Sequence, residues 1–146
     1  MKKAILYALV FLSLLVTVSI VYYYIFYPYS YGPNKAAQNG DITTGTTFIN
    51  SDKFYQFVQN VDNKQSDNIR IVAYSKEGEP SIKDLDYDGT LIHYTEDSTR
   101  KRLGNHRYKV SGDYTNISIT TNSNGINDYF LVDERGIYNK VWIYQD

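Results

Sequence analysis

One uncharged segment near the start of the chain restricts how the protein can fold. From Ala4 to Phe26 there are 23 consecutive residues without a charged side chain. As an α-helix the segment would be roughly 34 Å long, and the hydrocarbon core of a bilayer is about 30 Å thick. Apolar side chains cover every face of that helix, whereas a soluble surface helix carries one apolar stripe. The segment therefore predicts a transmembrane helix in which residues 4–26 contact the membrane.

The residues on both sides of this segment predict its orientation. Lys2 and Lys3 are the only charged residues before Lys35, and positively charged flanks remain in the cytoplasm. At the other end the chain has Tyr22, Tyr23, Tyr24, Tyr27, Tyr29 and Tyr31. Tyrosine favours the headgroup region, where its ring is half buried and its hydroxyl is hydrated. We expect a single-pass protein of the cell membrane, with a cytoplasmic N-terminus and the C-terminal domain outside.

A cleaved signal peptide is the alternative interpretation of the same segment. Signal peptides have an apolar region of about 7–15 residues, followed directly by a cleavage site of small residues. Here the apolar run is longer and ends in bulky aromatic residues, and Ala36 and Ala37 lie ten residues beyond it. A retained anchor is therefore favoured, whereas cleavage would make the protein secreted. Both interpretations export the rest of the chain.

Composition excludes several classes of site and partner. The chain contains no cysteine, which excludes disulfides, thiolate metal sites, a cysteine nucleophile and a lipid-modified cysteine anchor. After the two N-terminal lysines the chain carries 13 basic and 16 acidic residues. Nucleic acid requires a strongly positive surface, so we expect no nucleic-acid partner. No pattern indicates an oligomeric state.

The chain is long enough for one domain after the anchor. We predict a transmembrane anchor at residues 1–27, a linker at 28–45 that is rich in Pro, Gly, Asn and Thr, and an extracytoplasmic domain at 46–146. A helix begins near Asn50 or Ser51, either of which can cap it. Its apolar stripe consists of Phe54, Phe57, Val58 and Val61, at the i, i+3, i+4 and i+7 spacing of a helix.

Short strands follow this helix without any βαβ alternation. They are predicted at 69–74, 81–87, 90–95, 108–111, 116–121, 129–133 and 138–144. Asp88–Gly89 predicts a two-residue type I′ hairpin turn, and Asn124–Gly125 predicts a second hairpin. The order of elements predicts an α+β fold in which one helix packs on an antiparallel sheet of about five to six strands.

Several short segments carry a resemblance to a known family. They are Asn39-Gly40-Asp41, Asp52-Lys53-Phe54 leading into Phe57-Val58-Gln59-Asn60-Val61, Asn68-Ile69-Arg70-Ile71, Glu77-Gly78-Glu79-Pro80, Asp84-Leu85-Asp86-Tyr87-Asp88-Gly89 and Ile92-His93-Tyr94-Thr95. In order and spacing they resemble a bacterial family catalogued as domain of unknown function 4362. The resemblance covers Asn39 to Asp97 and fades beyond it. It implies a small exported protein of Gram-positive, spore-forming bacteria and implies no activity. Many members have a lipid-anchoring cysteine, which this chain lacks.

An acidic segment is the strongest candidate for a metal site. Asp84, Asp86 and Asp88 followed by Gly89 match the first half of an EF-hand calcium loop. The second half fails, because the twelfth position is Thr95 and no helices are predicted on either side. A hairpin turn explains Asp88 and Gly89 more simply. We therefore predict no metal ligands, no cofactor and no catalytic residues.

The two histidines and a basic segment are further candidates for a functional site. His93 and His106 are the only histidines, and His93 is predicted to lie across from Asp84 as an ordinary cross-strand pair. The basic segment consists of Arg100, Lys101, Arg102, Arg107 and Lys109, with His106 and Tyr108 between them. Such a segment can contact anionic headgroups or anionic wall polymers. A solvent-exposed loop is the simpler explanation.

Taken together, these features favour a non-enzymatic binding or interaction domain of the bacterial cell envelope. Its expected partner is an anionic envelope polymer or a protein. Candidate contact residues are Tyr74, Tyr87, Tyr94 and Tyr108, although tyrosines also pack in cores. The alternative is a divalent-metal-binding or hydrolytic envelope protein that uses Asp84, Asp86 and Asp88.

Overall fold

A computed structural model describes residues 2–26, 31–45, 47–101, 107–134 and 140–146. The chain divides into two compact units, Met1–Tyr31 and Gly32–Asp146. The predicted strand at 138–144 lies partly outside the described residues, as do Arg102 and His106 of the basic segment.

The first unit contains one long helix, α1 (Lys2–Phe26). Its stretch from Lys3 to Tyr23 has a mean hydropathy of 2.6 and none of it is buried inside the protein. The hydroxyl groups of Ser13, Thr17 and Ser19 each donate to a backbone carbonyl three or four residues earlier. These polar groups are therefore satisfied within the helix, as a lipid environment requires. By length and composition α1 is able to cross a membrane, and an N-terminal signal sequence has the same properties.

The described part of the second unit contains two helices and eight strands. In chain order they are α2 (Pro33–Gln38), β1 (Ile42–Thr44), α3 (Ser51–Asp62), β2 (Asp67–Tyr74), β3 (Pro80–Tyr87), β4 (Ile92–Asp97), β5 (Lys109–Tyr114), β6 (Asn116–Thr121), β7 (Asn127–Val132) and β8 (Val141–Gln145). The strands form a five-stranded sheet in the order β1-β2-β3-β4-β5 and a three-stranded sheet in the order β6-β7-β8. The predicted α+β class is confirmed.

The prediction of one antiparallel sheet was wrong in two respects. The strands are divided between two sheets, and β1 pairs with β2 in parallel. The division occurs at Thr115, the single residue between β5 and β6, whose backbone N–H donates to Val132 O in β7 (2.9 Å). The chain thus changes its pairing partner from β4 to β7 within one residue.

Part of the predicted 28–45 linker has regular structure. Pro33 occupies the first turn of α2, where its missing N–H costs no hydrogen bond. Gly40 then adopts a left-handed conformation (φ 84°) that turns the chain into β1. Ile42 of β1 is buried opposite Ile71 of β2. A six-residue helix and a three-residue strand are too short to produce a readable periodic pattern.

Helix α3 is confirmed at the predicted position. Phe54, Phe57 and Val61 are buried and Val58 packs beside them. Asn50 occupies the N-cap position in a left-handed conformation, but its side chain does not cap the helix. Its amide donates instead to Asp41 O (2.9 Å), which ties the chain before β1 to the start of α3.

The hydrophobic core lies between α3 and residues from both sheets. Its buried members are Ile42, Phe54, Phe57, Val61, Ile71, Leu85, Tyr87, Ile92, Tyr94, Tyr129, Leu131, Ile143 and Tyr144. The ring of Phe54 stacks on Tyr144, with centroids 4.1 Å apart, and meets Tyr129 edge-on at 4.8 Å. Helix α3 therefore packs against core residues of both sheets, and its ring contacts across the core are with the three-stranded sheet.

The two predicted turns differ in outcome. A hairpin containing Asn124–Gly125 is confirmed, because Thr121 pairs with Asn127 around it. At Asp88–Gly89 the turn has four residues rather than two, since Tyr87 pairs with Ile92. Asp88 Oδ1 accepts the backbone N–H groups of Thr90 (2.7 Å) and Leu91 (2.8 Å), which stabilises the longer loop.

Candidate functional site

The acidic segment does not form a shared ion site. Asp84 and Asp86 lie on the face of β3 opposite the core residues Leu85 and Tyr87. Both carboxylate oxygens of Asp84 accept from Arg70, Nε at 2.6 Å and Nη2 at 3.1 Å. Within the described parts of the chain, no group of three or more His, Cys, Asp or Glu residues is placed to hold a metal ion.

Asp88 and His93 form a separate cluster at the β3–β4 loop. The backbone hydrogen bonds from Leu91 and Thr90 lower the pKa of Asp88. His93 Nδ1 lies 2.7 Å from Asp113 Oδ1, and His93 Nε2 lies 3.4 Å from Asp88 Oδ2. The hydrogen bond to Asp113 is the main cause of a raised His93 pKa.

The predicted partner of His93 was wrong. His93 lies across from Asp86, and Asp84 lies across from Thr95. A two-residue turn at Asp88–Gly89 would place His93 opposite Asp84. The four-residue loop shifts the pairing by two residues, which keeps each side chain on its predicted face but changes its neighbour.

A cavity of about 490 Å³ lies where the five-stranded sheet is incomplete. Strand β1 pairs with just three residues of β2, Ile71, Val72 and Ala73, so among the described residues the earlier part of β2 has no neighbouring strand on that side. Four separate segments line the opening: residues 39–42, Lys53, residues 68–70 and residues 84–86. Each of them includes residues that carry the family resemblance. We call this opening the motif cavity.

Contacts between Gly40 and Lys53 fix the wall of the motif cavity. Lys53 Nζ donates to Gly40 O at 2.7 Å. Gly40 has a positive φ, and a Cβ at this position would lie 2.8 Å from Lys53 Nζ. A side chain at residue 40 would therefore be strained by the backbone and would also displace the lysine. Glycine therefore favours this contact between the turn before β1 and helix α3.

Charged groups of both signs line the motif cavity. Arg70 and Asp84 neutralise each other through their two hydrogen bonds. Lys53 and Asp86 also line the opening, and neither forms an ion pair with another residue that the structure describes. The cavity thus offers one cationic and one anionic group to a small polar ligand.

A second polar cluster, which sequence analysis missed, is centred on Lys83 and Glu96. Lys83 is only 3% exposed, and its Nζ donates to Trp142 O (3.1 Å) and Ile143 O (3.4 Å) of β8. Burial lowers the pKa of Lys83 to about 8. The sequence does contain a signal for this site. Lys83 alternates with Leu85 and Tyr87 at a core-facing position of β3, where a charged residue is unusual.

Glu96 accepts three hydroxyl groups in this cluster. They come from Ser81 (2.7 Å), Tyr94 (2.9 Å) and Tyr108 (3.0 Å). Burial by itself raises the pKa of Glu96, but these hydrogen bonds and the nearby charge of Lys83 lower it below its ordinary value. The cluster thus holds a partly buried carboxylate and a buried ammonium group on one face of the sheet.

Comparison with known protein families identifies the chain. The family model described as Domain of unknown function (DUF4362) matches residues 38–127. The chain belongs to this family. No curated protein and no solved structure matches the chain.

The DUF4362 match extends past the resemblance that ended at Asp97. It continues through β5 and β6 to the first residue of β7. All the lining residues of the motif cavity lie within it, whereas α1 and β8 lie outside. The motif cavity is therefore built entirely from the DUF4362 region.

The basic segment and the four candidate tyrosines are only partly accessible. Arg102 and His106 lie outside the described residues, and Lys101 borders the opening beside Lys83. Of the candidate tyrosines, Tyr74, Tyr87 and Tyr94 are buried, whereas Tyr108 is 40% exposed. Tyr108 is therefore the one of these four whose ring can contact a partner.

The buried Lys83 predicts a specific pH dependence of stability. Between pH 8 and about 10.5 the unfolded chain keeps the Lys83 proton, whereas the folded chain releases it. The unfolded state then binds more protons, so stability rises with pH across this window. From pH 8 to 9.5 the free energy of unfolding should rise by about 1.5 kcal/mol relative to a Lys83→Met variant. Urea unfolding of both proteins measures this difference. Parallel pH curves for the two proteins would show that Lys83 is not desolvated.

Proposed function

We propose that the protein is anchored in the cell membrane by α1 and that its second unit acts outside the cytoplasm as a non-enzymatic binding domain of the envelope. The observation that carries this proposal is the separation of the chain into an apolar helix with no buried surface and a compact unit that begins at Gly32. A helix with apolar side chains on all faces is stable in lipid and costly to expose to water.

The sequence on each side of α1 supports this topology. Positive charges precede the helix and tyrosines follow it, which is the arrangement of an N-terminus that stays in the cytoplasm. The apolar stretch of 21 residues is longer than the apolar region of a signal peptide. A retained anchor therefore fits better than a cleaved signal, which would release the second unit as a secreted protein.

The motif cavity supports a binding role. Its volume lies within the range of about 300–1,000 Å³ that ligand pockets occupy. Its charged groups are held by hydrogen bonds, two between Arg70 and Asp84 and one from Lys53 to Gly40 O. His93 is the one histidine that the structure describes. Its ring lies between the carboxylates of Asp113 and Asp88, and it does not line the motif cavity.

An anionic envelope polymer or a protein is the partner that we propose for the basic segment. The structure describes four of its cations, Arg100, Lys101, Arg107 and Lys109. Cationic segments outside a membrane contact anionic headgroups and wall polymers. Binding of this kind weakens as salt increases, because exposed charges are screened.

The alternative, a divalent-metal or hydrolytic protein built on Asp84, Asp86 and Asp88, makes a distinct prediction. A metal bound at 100 times its dissociation constant adds about 2.7 kcal/mol of stability, which raises the melting temperature by roughly 10 °C. Both carboxylate oxygens of Asp84 already accept hydrogen bonds from Arg70. We therefore expect calcium, magnesium and zinc to leave the melting temperature of the full-length protein unchanged. A rise of several degrees that disappears in an Asp86→Asn variant would favour the metal protein over the binding domain.

A further inference from the structure

Trp142, the only tryptophan in the chain, is exposed and yet held in one orientation. It lies on β8 and is 42% exposed. The ammonium group of Lys83 lies over one face of its ring, 4.1 Å from the centroid. Its indole N–H donates to Asp128 Oδ1 at 3.1 Å. An aromatic ring fixed from two directions while almost half exposed loses little further entropy when a ligand packs on it.

This ring borders an opening that contains the Lys83–Glu96 cluster. The opening has a volume of about 390 Å³, and Trp142 and Tyr108 contribute exposed aromatic surface to it. Ser81, Lys83, Glu96 and Lys101 contribute polar groups. An aromatic wall with a few convergent polar groups is the usual composition of a small-ligand site. We call this opening the tryptophan cleft.

The charges of the tryptophan cleft favour a neutral ligand. Lys83 and Lys101 carry two positive charges, and Glu79 and Glu96 carry two negative charges. An ion of either sign would meet two like charges as well as two opposite ones, so the cleft carries no net charge that would attract it. Aromatic rings also bind quaternary ammonium groups, but here the Lys83 ammonium already lies over one face of the Trp142 ring and would repel a second cation.

The hydrogen-bonding groups of the cleft are both donors and acceptors. Glu96 is fixed by the hydroxyl groups of Ser81 and Tyr108, and each of these hydroxyls keeps its own acceptor lone pairs. A carboxylate has about four acceptor sites, so Glu96 retains one beyond its three present partners. A ligand hydroxyl, which donates and accepts at once, matches such a surface.

We propose that the tryptophan cleft binds a neutral carbohydrate, with the apolar face of one sugar ring packed on Trp142 and its hydroxyl groups bonded to Glu96 and Tyr108. A sugar ring combines an apolar C–H face with a rim of hydroxyl groups, which is the combination that an exposed indole beside a carboxylate can satisfy. The proposed carbohydrate site consists of Trp142 on β8 together with Lys83, Glu96 and Tyr108. It depends neither on the motif cavity nor on the compartment in which the domain lies.

The single tryptophan makes a direct test possible, because tryptophan emission from the full-length protein reports only on Trp142. The protein is studied in a polyoxyethylene detergent, which has no sugar headgroup. An oligosaccharide of three N-acetylglucosamine units should shift the emission to shorter wavelength in a saturable manner, as the indole loses water. The dissociation constant should be about 1 mM. Choline and inorganic polyphosphate should produce no saturable shift.

Two variants separate the site from non-specific effects. Tyr108→Phe keeps the ring but removes the hydroxyl, and it should weaken binding about fivefold. Tyr55→Phe removes a hydroxyl from a tyrosine of similar exposure (38%) that does not line the cleft, so affinity should not change. Circular dichroism confirms that each variant is folded. The proposal is overturned if neutral oligosaccharides give no saturable shift, or if choline or polyphosphate gives one. It is also overturned if Tyr108→Phe binds the oligosaccharide as tightly as Tyr55→Phe does.

Discussion

Replacing Phe54 with alanine is expected to lower the free energy of unfolding by about 3–5 kcal/mol. Phe54 is fully buried, stacks on Tyr144 and meets Tyr129 edge-on. Its removal leaves a cavity where α3 meets the three-stranded sheet, and it also removes ring contacts with Tyr55, Tyr129 and Tyr144. Urea unfolding of the full-length protein in detergent, followed through Trp142 fluorescence, measures the loss.

The neighbouring residue provides a matched control for Phe54. Tyr55 is partly exposed, and its hydroxyl donates to Asp146 Oδ2 at 2.8 Å. Tyr55→Phe removes one exposed hydrogen bond and should cost no more than about 1 kcal/mol. If Phe54→Ala were as mild as Tyr55→Phe, the packing of α3 between the two sheets would be incorrect.

Two arginines in the middle of α1 should abolish membrane retention. Each arginine at the centre of a transmembrane helix costs about 2.5–3.5 kcal/mol, so Leu12→Arg with Leu14→Arg costs about 5–7 kcal/mol. Both leucines are exposed in the described helix, so the substitutions disturb no packing within the protein. Carbonate-washed membranes should retain the full-length wild-type chain and lose the double-arginine variant.

The corresponding double-alanine variant is the control for α1. Leu12→Ala with Leu14→Ala shortens the side chains but keeps the helix uncharged, so it should remain in the washed membranes. Retention of the double-arginine variant would contradict a transmembrane helix. Release of the wild-type chain in a shortened form would favour a cleaved signal peptide.

Sequence patterns predicted those elements whose burial follows a simple period. Helix α3 has apolar residues at helical spacing because one face packs against the core, and its position was confirmed. Strands β2, β3 and β6 also lie within a few residues of their predictions, since alternation marks half-buried strands. Helix α1 is the extreme case, because an uncharged run of 23 residues is long enough to predict a helix by its length.

Sequence patterns did not predict the pairing of strands that are far apart in the chain. The parallel pairing of β1 with Ile71–Ala73 joins segments far apart in sequence, and no local pattern encodes it. The change of sheet at Thr115 depends on a hydrogen bond to Val132, which periodicity does not reveal. The register of His93 depended on a loop that Asp88 stabilises through its side chain, whereas the Asp-Gly pair alone indicates a shorter turn.

The candidate sites show the same division. The sequence pattern singles out Asp84 and Asp86 as candidate ligands. Their proximity to Arg70 and Lys53 follows only from the topology of the sheet, which the sequence pattern does not give. Apolar alternation does not locate Lys83, because that pattern registers only the apolar residues of a strand. A charged residue at a core-facing position is the signal that locates such a site.

The absence of cysteine allows the topology to be measured with single added thiols. One variant carries Ser123→Cys in the exposed turn between β6 and β7, and the other carries a cysteine inserted after Met1. With a membrane-impermeant maleimide on intact cells, we expect Ser123→Cys to be labelled at once and the N-terminal cysteine only after the cells are permeabilised. Labelling of the N-terminal cysteine on intact cells, with Ser123→Cys protected until permeabilisation, would contradict an anchored domain outside the cytoplasm.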